Sequence, residues 1–416
     1  MDNFPHSVKL VEEKCTGCTR CMLNCPVEAI RLKNNRAVIY ADKCIDCGEC
    51  IRVCPYGAHV AERDSLSTIE GYKIKVAIPS VTLYAQFGGF VNPSLINEAI
   101  NSLGFDEVYD TTYACDIVAE ITRRQLYSNS RPSLSSFCPA IMRLIHNSYP
   151  ELSKNLVSVM APIEVASNLI REYYENQGYK QEDVGVFFLS PCAAWYTQVN
   201  SWYSCNNAPI NGSIAISDIY SQLLKYINKY SHTSRSTISP MSSTGLGWAE
   251  LEGQSKAMRI KDYMAVDGIK NVIKILDEVE KDRYNDLLFI ELSACNGGCL
   301  GGIHLIDNHF NTSRIVKKYC RYLNYTSNIL EFDERYENAF KSEFSMGEYM
   351  GHRLAEDFDE AVIKMNYMNK LINTLPGTDC GLCGSPSCKA FAEDVARGLA
   401  SLKECRLYKK SGGDIT

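Results

Sequence analysis

Two stretches near the start of the chain repeat one cysteine pattern. Cys15, Cys18, Cys21 and Cys25 precede Pro26, and Cys44, Cys47, Cys50 and Cys54 precede Pro55. Each run reads C-x2-C-x2-C-x3-C-P, so three thiolates lie close enough to wrap one compact metal centre while the fourth must turn elsewhere. The chain holds 19 cysteines in all. Its opening, MDNFPHSVKLVEEKC, lacks the layout of an export signal, and a reducing compartment keeps thiols unpaired. Metal ligation is therefore expected rather than disulfides, in a cytoplasmic protein.

Doubling of the run followed by proline is the spacing of two-cluster bacterial ferredoxins, where the fourth cysteine of each run ligates the other run's cluster. Residues 1–66 are expected to form a ferredoxin-like α+β domain with two 4Fe-4S clusters. All eight thiolates are then used and no iron is open, so the role is electron transfer. A zinc site would not need the duplication. The 416 residues leave room for two or three domains. A net charge of −6 without basic runs argues against nucleic acid as a partner. No apolar stretch reaches the roughly 18–20 residues of a membrane span.

From residue 72 the character changes. Short apolar segments (YKIKVAIPS, VGVFFLSP, DLLFIELSA) alternate with amphipathic ones (NPSLINEAINSLG), which indicates an α/β domain. It is taken to span 72–375, its last part reading mostly as helix. ELSACNGGCLGG sets Cys295 and Cys299 four apart among glycines. Their available partners are Cys138 in SSFCPAIM and Cys192 in LSPCAAWY, both beside proline. Site residues gather at the carboxyl ends of strands in such domains, which suits Cys192 and Cys295. Four convergent thiolates can hold another 4Fe-4S cluster; on spacing alone, structural zinc is the alternative.

These three loops resemble the signature segments of the iron-iron (FeFe) hydrogenase family. KVAIPSVTLYAQFG, LGFDEVYDTTYACDI and DGIKNVIKIL are similar to other parts of its catalytic domain. The resemblance implies two halves of sheet and helices with the metal site between them. It makes Cys138, Cys192 and Cys295 ligands of a 4Fe-4S cluster, with Cys299 also bridging to a diiron subcluster that carries CO, cyanide and a dithiolate amine. Ser80 then matches a donor to one cyanide, and glycines 297, 298, 301 and 302 let the backbone approach a large cofactor. The implied reaction is heterolytic hydrogen cleavage or formation, with electrons passing to the ferredoxin clusters.

Several positions depart from that pattern. Phe137 stands where active relatives carry a proton-relay cysteine, and Trp195 where they carry a lysine. Ser190 and Ser293 replace methionines. One reading is a retuned, slow site, as in the sensory branch that lacks the relay; Cys115, with Glu120 behind it, is then a substitute proton path. The other reading is that Trp195 fills the diiron pocket, only the cubane remains, and Cys115 is a buried small residue.

The chain closes with Cys380, Cys383, Cys388 and Cys405 in residues 376–416, spaced C-x2-C-x4-C-x16-C. This block resembles a small 4Fe-4S module found in corrinoid iron-sulfur proteins and some sensory hydrogenases, with zinc as the rival. An electron port or docking point is its expected use. Cys115, Cys205 and Cys320 fall outside any set. His304 is read as a polar neighbour of the third loop, and residues 230–247 as a polar connector. The expectation is four 4Fe-4S clusters and a diiron site in a hydrogenase-like oxidoreductase, with a ferredoxin-type redox partner and a separate signalling partner. The alternatives are an electron carrier on the same scaffold, or an iron-sulfur enzyme acting on another small substrate.

Overall fold

The computed structural model describes residues 5–200, 209–231, 241–323, 332–342, 354–355 and 357–408. Cys205, much of the 230–247 connector and part of the 341–375 segment lie outside the described residues. The chain divides into two compact units, one of residues 1–44, 48–61 and 347–416, the other of residues 45–47 and 62–346.

In the first unit the internal repeat of the sequence is visible as structure. Helix Arg20–Asn24 carries Cys21 and ends on Cys25; helix Glu49–Val53 carries Cys50 and ends on Cys54. Strand β1 (Val8–Leu10) runs antiparallel to β4 (His59–Ala61), while β2 (Ile30–Lys33) and β3 (Arg36–Ile39) form a hairpin. The two residues at its tip, Asn34 and Asn35, have φ of 50° and 57°. Asparagine tolerates that conformation, which matches the turn to the twist of the strands. Met22, Ile30, Ala37 and Ala58 make a small core around Cys15 and Cys21.

The end of the chain belongs to this unit as well. Helix Phe358–Thr374 packs on helix Cys388–Ala396, and Leu371, Leu375, Phe391 and Ala392 are buried between them. The sequence division had placed residues up to 375 with the middle block. Helix Phe358–Thr374 buries only Leu371 of its own residues and leaves Phe358 and Ile363 exposed. Its packing partner is therefore the cysteine-bearing helix that follows it.

The second unit holds two parallel sheets. Strands β5 (Ile74–Pro79), β6 (Glu107–Val108), β8 (Val184–Ser190) and β9 (Gly212–Ala215) form one, in the order β6-β5-β8-β9. Strands β7 (Ser133–Leu134), β10 (Tyr263–Asp267) and β11 (Phe289–Ser293) form the other, in the order β10-β11-β7. Every residue of β8 and β11 is buried, the pattern of strands covered on both faces. The covering helices start where the sequence signals it: Asn92 caps Pro93–Asn101 and Asp110 caps Thr111–Gln125. Of the 230–247 connector, Ser243–Gly247 is a short helix with Leu246 buried, not a loose link. No described helix is long and apolar enough to cross a membrane.

One buried ion pair fixes the surroundings of Cys47 within this unit. Asp46 accepts hydrogen bonds from Arg143 at 2.8 Å and Thr197 at 2.6 Å. Arg143 lies on the helix that Cys138 begins, and Thr197 on the helix that Cys192 begins. Removing the carboxylate would take from the buried Arg143 guanidinium the charge it pairs with. Asp46→Ala is expected to destabilise the second unit by about 3–5 kcal/mol, read by anaerobic denaturant unfolding, whereas Asp46→Asn should cost less.

Candidate metal centre

Parallel strands deliver three of the four middle cysteines. Cys192 follows β8 of one sheet, Cys295 follows β11 of the other, and Cys138 comes four residues after β7 beside it. Cys138 and Cys192 each sit at the N-terminus of a helix, Pro139–Ser148 and Ala193–Val199, where the helix dipole favours a thiolate. Cys299 lies in a helical turn, Gly298–Gly301, after the third loop.

The four thiols share one neighbourhood. Cys192 is subject to the charges of Cys295, Cys138 and Cys299, and Cys299 to those of Cys138 and Cys295. Burial pushes the thiols of Cys138, Cys192 and Cys299 up, most strongly where these like charges add to it. Backbone N–H groups of Ala294, Ile141 and Ala140 point at Cys138 and only partly offset burial. Thiolates this costly to form alone call for a multivalent cation among them, and an iron-sulfur cluster meets that need. Cys138, Cys192 and Cys295 are partly covered, whereas Cys299 is exposed although protein surrounds it.

Aromatic side chains at the departing positions are taken up in packing. Phe137 stacks obliquely on Trp248 with centroids 5.3 Å apart, and Trp195 meets Phe188 of β8 edge-on at 5.7 Å. Both are buried. Ser190 bonds back to Cys192 through its carbonyl and amide. Ser80, at the end of β5, accepts from the Thr82 amide and shares a 2.9 Å bond with the Thr82 hydroxyl. Ser293 is buried at the end of β11. The loop glycines serve the protein's own contacts: at Gly297 and Gly298 φ is 78° and 73°, and a Cβ would run into His309 and the Ala249 carbonyl respectively. His304 is buried beside them, its amide bonded to the Pro191 carbonyl at 2.9 Å.

Cys115 is buried on helix Thr111–Gln125, and Cys299 is among the charges that bear on it. Glu120 is not stacked behind it. Five residues along a helix turn the side chain by about 140°, and Glu120 is held by Arg123 and Arg124, whose bonds keep its carboxyl below the usual range. What lies next to Cys115 is Asp116, buried and accepting from Thr244 at 2.8 Å. Glu120 and Asp116 line one surface recess with Thr244, Glu120 beside Arg123.

Sequence reasoning missed Glu291. It is wholly buried in β11, inside the very stretch ELSACNGGC, and accepts from the Ser255 amide and hydroxyl at 3.0 and 2.9 Å. Its other oxygen has no partner. Burial raises its carboxyl to about 7, against the pull of those donors, and its charge bears on Cys299. The signal was available: a lone acid within an apolar strand.

The remaining sets also converge. Burial lifts Cys21 to about 11, and Cys15, Cys18 and Cys54 crowd it, the exchange of fourth ligands expected from the repeat. Burial opposes the Cys54 thiolate too, but amides of Ala58, Tyr56, His59 and Gly57 outweigh it and lower its pKa. Cys383 neighbours Cys405 and Cys380, and Cys388 packs on the same small core. Cys320 is buried and donates to the Ser243 carbonyl at 3.3 Å, an ordinary interior thiol.

Comparison with known proteins agrees with the three blocks. The family described as "Iron only hydrogenase large subunit, C-terminal domain" matches residues 74–200 and 217–303. A "4Fe-4S dicluster domain" matches 7–55, and a "Putative Fe-S cluster" family matches 375–407. Iron hydrogenase 1 of Clostridium pasteurianum is 27% identical over 145 residues, 32% of this chain and 25% of that protein. The periplasmic [Fe] hydrogenase large subunit of Nitratidesulfovibrio vulgaris is 28% identical over 211 residues, 45% of this chain and 50% of that protein. The chain thus spans a quarter to a half of the length of these relatives. Among solved structures, an [FeFe]-hydrogenase HydA1 variant of Chlamydomonas reinhardtii aligns with a TM-score of 0.48 at 14% identity, over 69% of this chain and 95% of that one.

Glu291 gives this centre a pH signature. Its folded carboxyl titrates near 7, above the unfolded value, so the folded state holds the extra proton. That contribution to stability is complete below the unfolded pKa of about 4.3 and is lost as pH rises through about 7. Glu291→Gln is expected to flatten the slope and to gain up to about 3 kcal/mol at alkaline pH, measured by anaerobic thermal unfolding across pH.

Proposed function

The chain belongs to the iron-only hydrogenase large-subunit family, and from that premise we propose that it is an iron-sulfur oxidoreductase of hydrogen with four 4Fe-4S clusters. Cys138, Cys192, Cys295 and Cys299 hold the central cluster, the N-terminal runs hold two, and Cys380, Cys383, Cys388 and Cys405 hold the fourth. The observation that carries the reading is the difference among the four central thiols. Three are partly covered, as ligands of a single cluster would be, while Cys299 alone of the four is exposed. A thiolate that bridges to a second metal group needs that exposure. A diiron subcluster bound there would supply the heterolytic cleavage or formation of hydrogen.

This chain's own residues shape the rest. Ser80 holds a hydroxyl at the end of β5, already oriented by Thr82, to donate to a polar ligand of that group. Trp195 offers an indole N–H but no charge, so a negatively charged ligand is held less strongly than a lysine would hold it. Phe137 carries no proton. Proton movement then falls to Cys115, with Asp116 and Thr244 leading from the recess that Glu120 borders. A thiol whose pKa burial raises is a weak acid, and slow turnover is part of this reading. Slow turnover suits a sensor of hydrogen or redox state in the cytoplasm, one that exchanges electrons with a ferredoxin-type carrier and reports through a separate signalling protein.

An infrared spectrum of the anaerobically purified protein, supplied with a synthetic diiron precursor, tests the reading. Bound CO and cyanide bands that shift under hydrogen are expected, and Cys115→Ala should slow their response at least tenfold while leaving the bands in place. Absence of such bands from protein with all its 4Fe-4S clusters intact would overturn the hydrogen chemistry and leave an electron carrier.

A further inference from the structure

The C-terminal cysteines are built onto the first ferredoxin set. Gly384, next to Cys383, accepts a hydrogen bond from the amide of Leu32 at 2.7 Å. Leu32 lines the cavity that Cys15, Cys18, Cys21 and Cys54 also line. A single hydrogen bond therefore joins a residue beside one set of thiols to a residue bordering the other. A second contact runs parallel to it. Gly381, between Cys380 and Cys383, lies so near the fully buried Met22 that a Cβ there would be 3.1 Å from its Cε, and Met22 follows Cys21 in the chain.

Buried charge fixes this arrangement. Arg31 is 1% exposed and makes a two-pronged ion pair with Asp394, which also accepts from Ser385 at 3.0 Å. Lys43 pairs with Glu393 at 2.7 Å and Arg397 with Asp42 at 3.6 Å on either side. Gly384 has φ of 84°, and a Cβ on it would collide with the carbonyl of Leu32, so the approach is open to glycine alone. The bidentate Arg31–Asp394 pair specifies one geometry, and a loose tether would not need it together with two further charge pairs.

We infer that the C-terminal cluster exchanges electrons directly with the cluster of Cys15, Cys18, Cys21 and Cys54, through Leu32–Gly384 and Met22–Gly381, and serves as the port by which a one-electron carrier loads or drains the ferredoxin pair. The step is a single electron passing between two clusters: the donor is oxidised by one unit and the acceptor reduced by one. No bond breaks and no proton moves. The external carrier, a low-potential iron-sulfur or flavin protein, closes the balance. On the outer side of the module Cys380 is exposed, with Leu382 59% exposed beside it, so the ligand loop is within reach of such a carrier. The inference rests on both sets holding 4Fe-4S clusters and needs neither a diiron site nor hydrogen.

Electron paramagnetic resonance of the full chain, prepared without diiron precursor and reduced stepwise, tests it. Reduction of the C-terminal cluster is expected to split or broaden the signal of the first ferredoxin cluster. Cys383→Ser should abolish that coupling while the ferredoxin pair keeps its own. Cys405→Ser, at the far end of the module sequence, removes the same cluster by a second route should the first variant fold poorly. Spectra that add as independent signals in the unaltered protein, or that are unchanged for the remaining clusters in both variants, would overturn the wiring. That outcome would leave the infrared test of hydrogen chemistry untouched, and failure of the infrared test would leave this one standing.

Discussion

A thiolate cannot be buried alone, and the second unit is organised around that fact. Two parallel sheets present the carboxyl ends of β7, β8 and β11 to one neighbourhood, and the loops there carry Cys138, Cys192 and Cys295. The sulfurs of Cys138 and Cys192 are driven toward their neutral forms by burial, and that of Cys192 also by its neighbours. Helix N-termini and backbone amides return part of that cost, and a metal-sulfide core supplies the remainder. The strands need not be long for this. What matters is that buried, fully apolar strands such as β8 hold their ends in fixed positions, because a thiolate set displaced by an ångström no longer fits one cluster.

What could be read from the sequence was local. Cysteine spacing pointed to the two N-terminal runs and the C-terminal set, whereas Cys138, Cys192, Cys295 and Cys299 were drawn together by the family resemblance; the structure brings those four thiols into one neighbourhood. Strand and helix starts were equally legible: β8 is seven consecutive buried residues, and the Asn92 and Asp110 caps sit one residue ahead of their helices. The α/β character of the middle block followed from the alternation of such segments, and its division into two sheets only from the family resemblance.

What escaped depends on distance along the chain. Nothing near Arg31 announces Asp394, and no pattern near residue 341 says that the next described long helix packs toward Phe391 and not toward the middle block. Glu291 was visible as a letter, but its titration near 7 depends on Ser255 and on complete enclosure by the fold. Pairing Glu120 with Cys115 looked natural in one dimension; helical rotation sends the two to different sides, and the arginines claim Glu120. The glycines of the third loop were read as making way for a cofactor, whereas His309, Ala249 and Pro191 already require them.

The Arg31–Asp394 pair spans 363 residues of sequence, and that separation bears on how the protein is made. During synthesis the β2 strand emerges well before Asp394, so the Arg31 guanidinium is without this counter-charge until the segment around residue 394 has followed it. Closing a loop of that length costs only a little more entropy than closing one half as long, so the delay is one of timing and not of stability. The middle block can fold around its own sheets in the interval. The segment carrying Cys380 to Cys405 therefore acts as a seal, completing a unit whose ferredoxin part is synthesised well before it.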